Sequence, residues 1–162
     1  MKPVYLDYAA TSPLDPRVCD AMQPYLTYMY GNPSSQHGFG QAARRAREQT
    51  AALIGAQPDE IYFTSGGTES DNWAVRGIAE ERRAAGGGAH IVISAVEHAA
   101  VRATCRCLER CGFSVTEVAV NGQGRVDPAA VEAALRADTA LVSIMTGNNE
   151  VGTLQPIQEI GD

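Results

Sequence analysis

Short apolar runs alternate with longer stretches of helical periodicity along the 162 residues. Runs at 61–64, 90–95, 113–120 and 140–145 show little alternation of apolar and polar positions, the pattern of strands covered on both faces. Between them, helical spacing predicts helices over 41–54, from the turn at Gly66-Gly67 to about residue 85, over 99–111, and from Asp127-Pro128 onward. The first of these has Ala42, Ala43, Ala46, Leu53 and Ile54 on one face, and Gly55 stops it. The last turns Val131, Ala134 and Leu135 inward. An earlier helix opens at Asp15-Pro16, with aspartate as N-cap and proline at the first helical position. It carries Val18, Met22 and Leu26 on one stripe, and Pro24 is expected to kink it or end it early. Residues 4–11 read as an extended segment, 31–35 as a loop, and 156–160 as the start of one more helix. The alternation predicts an α/β fold: three α/β/α layers around a mostly parallel sheet, preceded by an extended arm over residues 1–15.

Composition narrows the function without naming it. An apolar fraction of 44%, a charged fraction of 20% and a net charge of −6 describe an ordinary soluble globular protein. A pI near 5.0 argues against a nucleic-acid footprint or an anionic membrane surface as partner. No apolar run approaches the ~20 residues needed to span a bilayer, and the first residues lack a signal-peptide core. The cytoplasm is therefore the expected location, and the four cysteines fit a reducing compartment. Lys2 is the only lysine; the other twelve basic residues are arginines.

The candidate chemistry lies where open α/β sheets bind ligands, beyond the carboxyl ends of the strands. The run Ser65-Gly66-Gly67-Thr68-Glu69-Ser70 follows the first predicted strand and opens a helix. Its two glycines suit a tight turn and close approach of a ligand. Free amides at the helix start, with the hydroxyls of Ser65, Thr68 and Ser70, could hold a phosphate. An ordinary capped turn is the alternative. The run matches neither GxGxxG nor GxxxxGK[ST]. Glu97-His98 follows the second strand, and Asn148-Asn149-Glu150 the last. His98 offers a flat ring and a proton acceptor near neutral pH, or simply starts a helix. Asn149 can donate and accept at once, or cap a turn, while Glu97 and Glu150 could be merely solvated. No metal site is expected: Cys105 shares the apolar stripe with Val101 and Leu108, Cys107 points about 200° away, and Cys107 with Cys111 makes only two ligands.

Taken in order, Tyr5-Leu6-Asp7-Tyr8-Ala9-Ala10-Thr11, Gly31-Asn32-Pro33-Ser34-Ser35 with His37, Phe63-Thr64-Ser65-Gly66-Gly67-Thr68-Glu69-Ser70, Glu97-His98 and Asn148-Asn149-Glu150-Val151-Gly152 resemble the amino-terminal part of a cysteine desulfurase. These are pyridoxal phosphate enzymes of the class V aminotransferase group. The resemblance implies fold type I, a homodimer, and removal of sulfur from L-cysteine to give L-alanine and an enzyme persulfide. That sulfur would pass to an acceptor or scaffold protein for iron–sulfur cluster assembly or thiolation. It also implies that Gly67 and Thr68 hold the phosphate of pyridoxal 5'-phosphate, that His98 stacks on its ring and shuttles protons, and that Asn149 touches the ring oxygen or the substrate carboxylate. The family more often has alanine at Gly67. The Schiff-base lysine, the aspartate facing the pyridine nitrogen and the attacking cysteine lie further along in the family, and Lys2 does not match that lysine. Residues 16–162 are thus expected to be the first part of a large cofactor-binding domain. Alone they would be inactive, with sheet edges and apolar faces left uncovered. A selenocysteine lyase, another class V aminotransferase, or a non-catalytic module binding a phosphorylated ligand or a partner are the other readings.

Overall fold

The computed structural model describes residues 4–5, 11–29 and 38–162, with backbone alone for 38–40. Most of the expected arm over 1–15, the loop at 31–35 and His37 lie outside the described residues. The chain forms two compact units, Met1–Phe63 and Thr64–Asp162.

In the first unit, α1 spans Pro16–Thr27 and α2 spans Gly38–Ile54. Asp15 caps α1 as expected, its carboxylate accepting the Arg17 amide at 2.8 Å. Pro24 does not end α1 early; the helix runs on to Thr27. Proline costs one backbone bond, and on this exposed surface water can satisfy the carbonyl it frees. Val18, Met22 and Leu26 are all exposed, so their stripe is not a buried face. Among the described side chains of α2 the buried one is Ala51, whereas Leu53 and Ile54 are 85% and 65% exposed, contrary to the predicted face. Gly55, with φ +72°, closes α2, and the Ala56 amide returns to the Ala51 carbonyl at 2.9 Å. A 3-10 turn at Pro58–Glu60 follows. Residues 61–64, predicted as a strand, form no ladder among the described residues. Ile61 is buried but Tyr62 and Phe63 are exposed. Apolar character alone does not make a strand without a neighbour to pair with.

The second unit holds α3 (Gly67–Ala84), β1 (His90–Ser94), α4 (Ala99–Arg110), β2 (Ser114–Val118), α5 (Pro128–Ala134), β3 (Thr139–Ser143) and α6 (Ile157–Gly161). The sheet has the order β2-β1-β3, and both pairings are parallel, with Ile91 opposite Val115 on one side and Leu141 on the other. Central β1 is buried along its whole length. Its alternate residues serve opposite faces. Ile91 and Ile93 pack with Val75 and Ala79 of α3 and Val101, Cys105 and Leu108 of α4. Val92 packs with Val131 of α5, and Ile160 of α6 covers that same cluster. This is the three-layer α/β/α arrangement that the alternation predicts. Leu135, expected to face inward with Val131, falls just past the end of α5 and is 48% exposed.

Helices α3 and α4 lie side by side and run the same way. Thr104, midway along α4, bonds Asn72 in the second turn of α3 at 2.5 Å. At the other end, the Arg83 guanidinium donates to the Cys111 carbonyl at 2.7 Å. Both helix starts therefore face the same end of the unit. Cys105, between them and the sheet, is 2% exposed, and burial pushes its thiol up to about 11. It is a small core residue, as its place on the stripe predicts.

Candidate functional site

Because β1 and β3 are parallel, the loops that follow them leave the sheet at the same edge. The first carries His98 and the second Asn149. Two neighbouring side chains lace these loops together. Glu97 is 7% exposed, and its Oε1 accepts the Ser94 hydroxyl at 2.6 Å and the Met145 amide at 2.7 Å. Asn148 donates from Nδ2 to the Val96 carbonyl at 3.3 Å, while its Oδ1 accepts the Glu150 and Val151 amides. Glu97 is therefore a buried link between strands, not a solvated residue. Glu150 is exposed. The turn-capping role open to Asn149 is filled by Asn148, which leaves Asn149 exposed on the rim.

His98 is the N-cap of α4, and its Nδ1 accepts the Ala100 amide at 3.1 Å. In the neutral ring that bond puts the proton on Nε2. The ring is exposed, so it caps the helix on one side and is open to a ligand on the other.

Gly67 and Thr68 form the first turn of α3, behind the N-cap Gly66. Among the described residues, no partner accepts from the Gly67, Thr68 or Glu69 amides. Neither glycine needs the left-handed region: Gly66 is extended, with φ 163° and ψ 179°, and Gly67 is helical. A Cβ at either would meet nothing within 4 Å. The turn is open, not strained, which corrects the reason given for its glycines and leaves room for alanine at Gly67. The hydroxyls divide. Ser65 donates its amide and hydroxyl to Glu69 Oε2, both at 2.7 Å. Those bonds, the backbone one first, hold the Glu69 carboxyl below the usual range. Ser70 pairs with the Thr64 hydroxyl at 2.7 Å. Of the three hydroxyls proposed for an anion, two are thus engaged within the turn, and Thr68 keeps its own available.

The structure thus brings His98 and Asn149 onto laced neighbouring loops and sets the turn of Gly67 and Thr68 at the start of the helix beside α4. The sequence reading missed Glu97 and Asn148 as the lacing, and Asn72 and Thr104 as the tie between α3 and α4. Ser94 and Glu97 stand three apart, the spacing of a reciprocal cap, which was the available signal for the first. A cleft of about 600 Å³ in the first unit, lined by Tyr25, Met29, Ala42, Ala43 and Phe63 among others, contains none of these residues. Among the described residues no helix is long and apolar enough to cross a membrane.

The family model for aminotransferase class V matches residues 4–162. The chain belongs to that family, whose members depend on pyridoxal phosphate. It is 52% identical to the putative cysteine desulfurase IscS 1 of Bacillus subtilis, covering 100% of this chain and 43% of that protein. It is 51% identical to the human cysteine desulfurase, covering 99% of this chain and 36% of that one. Among solved structures, a NifS-like protein superposes with a TM-score of 0.89 at 41% identity, over 98% of this chain and 44% of the other. A structure described as SspA in complex with cysteine gives 0.88 at 40% identity, over 97% and 46%. The chain therefore spans less than half the length of these relatives, and the fold is that of fold type I pyridoxal phosphate enzymes.

Proposed function

We propose that this rim is the phosphate- and ring-holding part of a pyridoxal 5'-phosphate-dependent cysteine desulfurase, which takes sulfur from L-cysteine and leaves L-alanine and a persulfide on the enzyme. The observation that carries the reading is the joining of the His98 and Asn149 loops by Glu97 and Asn148, at the end of the unit where α3 opens with unpaired amides. Kinship at about half identity to proteins named cysteine desulfurase supports the choice of reaction.

The residues present suit the cofactor. A phosphate needs donors converging at a helix start, and the Gly67 and Thr68 amides with the Thr68 hydroxyl supply them. The carboxylate in this first turn, Glu69, is turned onto Ser65. When bound, pyridoxal phosphate supplies an electron sink for chemistry at the amino-acid substrate. His98 would offer its ring to that group and would carry a proton at Nε2, while Asn149 would orient the ring oxygen or the substrate carboxylate. The attachment lysine, the carboxylate for the pyridine nitrogen and the attacking cysteine are assigned to none of these 162 residues. Lys2 lies outside the described residues and is given no part. A polypeptide limited to these residues is proposed to be inactive. In the working protein we further propose a homodimer, a cytoplasmic location, and a sulfur-acceptor or scaffold protein serving iron–sulfur cluster assembly or thiolation.

The test is to supply pyridoxal phosphate and L-cysteine to a protein that carries these residues together with the attachment lysine and the attacking cysteine, and to follow alanine, the 162-residue polypeptide alone giving none. Equal release of alanine and thiol-trapped sulfur is expected, with at least a tenfold loss in His98→Ala. Turnover of L-selenocysteine or of a keto-acid acceptor, with none of L-cysteine, would instead make it a different class V enzyme.

A further inference from the structure

We infer that Asn72 and Thr104 are positioning residues for the phosphate turn, forming a half-buried brace that fixes the first turns of α3 against the middle of α4. The inference rests on the pyridoxal phosphate reading of the rim. Asn72 lies one turn after Thr68, and its Nδ2 donates to the Thr68 carbonyl at 2.7 Å. With the amide nitrogen committed there, Oδ1 faces α4 and accepts the Thr104 hydroxyl at 2.5 Å. The single hydroxyl hydrogen of Thr104 is shared with the Ala100 carbonyl at 2.9 Å. The Ala100 amide in turn bonds His98 Nδ1 at 3.1 Å. A continuous line of contacts thus runs from Thr68 through Asn72, Thr104 and Ala100 to His98.

Its effect on the turn follows from the planarity of the peptide. The Thr68 carbonyl and the Glu69 amide share one plane, so a second donor on that carbonyl orients the Glu69 N–H, the third free amide of the helix start beside those of Gly67 and Thr68. Donation to the carbonyl also polarises the same peptide, which strengthens its free N–H as a donor. Packing alone would not do this. Thr104 is 4% exposed and sits between Val101 and Cys105 of the apolar core, where a valine would fill the same space. A hydroxyl there, matched to an amide on the neighbouring helix, sets the axial position of one helix against the other more sharply than apolar contact does.

The experiment compares the affinity of the protein for pyridoxal phosphate and for unphosphorylated pyridoxal in Thr104→Val, Thr104→Ser, Asn72→Ala and the double variant Asn72→Ala with Thr104→Val. Thr104→Val and Asn72→Ala should each weaken pyridoxal phosphate about tenfold while leaving pyridoxal unchanged. The double variant should lose no more than either single one, since both break one brace. Thr104→Ser, which keeps the hydroxyl, should bind as the parent does. Should Thr104→Val fail to fold, Asn72→Ala at its half-buried helical position carries the test. Parental binding in both single variants, or equal losses for the two vitamers, overturns the brace. A parent that shows no preference for the phosphorylated form, or one whose preference is undiminished in Thr68→Ala, overturns the phosphate reading itself.

Discussion

The two edges of the parallel sheet are built to opposite ends. At the edge where the strands begin, polar groups face one another. His90 is fully buried, with Nδ1 against the Thr139 hydroxyl and Nε2 against the Thr116 hydroxyl, both at 2.8 Å. It thereby ties the central strand to both neighbours. Gly88, with φ +101°, packs so closely that a Cβ would sit 2.1 Å from the Asp138 carbonyl oxygen. Arg136 closes the corner, bonding Asp138 at 2.7 Å and the Ser114 hydroxyl at 3.2 Å. At the edge where the strands end, the polar groups that hold the loops are buried and paired, and those beyond them face outward. Glu97 and Thr104 are below 10% exposed, whereas Thr68, His98 and Asn149 are exposed. One edge spends its polar groups on stability; the other keeps a set in reserve for a ligand.

The comparison can be broken most severely at the first edge. Gly88→Ala forces a side chain into the left-handed region and against a carbonyl, and should cost on the order of 3 kcal/mol in chemical denaturation. Stability close to the parent's would show that the corner is looser than described. Next, His90→Leu keeps the volume but takes the ring partner from the half-buried Thr116 and Thr139 hydroxyls, of which Thr139 retains the Arg136 amide, a loss of about 1–2 kcal/mol. This variant also carries a pH signature. Burial first, then the Arg136 charge, lowers the His90 pKa below its ordinary 6.5, so it folds neutral. The unfolded chain then takes up the proton at higher pH than the folded one. The His90 contribution is therefore complete above about pH 6.5 and is lost as the pH falls toward the folded value. Denaturation midpoints between pH 7.5 and 5 should fall for the parent more than for His90→Leu. Parallel curves would remove His90 from the account.

Smaller effects sharpen the second edge. Glu97→Ala leaves the Ser94 hydroxyl and the Met145 amide unpaired, and should cost about 1–2 kcal/mol. Its particular mark is faster amide exchange at 97–99 and 145–151 than at 88–92. Thr68→Ala should change stability by no more than about 0.5 kcal/mol, as expected of an exposed group. Its effect should instead be a several-fold loss of pyridoxal phosphate affinity. A Thr68 variant that melts early and binds normally would reverse the roles given to the two edges.

Much of this was legible in the chain. Asp15-Pro16 and Asp127-Pro128 announce helix starts through chemistry that is local, and both aspartates cap as expected. The apolar runs of β1, β2 and β3 announce a covered sheet, and family-like motifs point to the rim. Local signals failed where the outcome depends on distant partners. Residues 61–64 are as apolar as a strand, yet form no ladder among the described residues. Leu53, Ile54 and Leu135 sit at helix ends, where one residue of difference turns a side chain outward. Glu97 reads as a solvated acid in the sequence because its partner, the Met145 amide, is 48 residues away. The Asn72–Thr104 tie spans 32 residues and was invisible for the same reason.

Hydrogen exchange of the protein with and without pyridoxal phosphate tests the division of the two edges most directly. Slower exchange of the amides at 66–70, 97–100 and 146–150, with 86–90 and 136–139 unchanged, is the predicted outcome. Protection concentrated at 86–90 and 136–139, or absent from 66–70 while the cofactor is bound, would contradict the assignment of the ligand to the edge where the strands end.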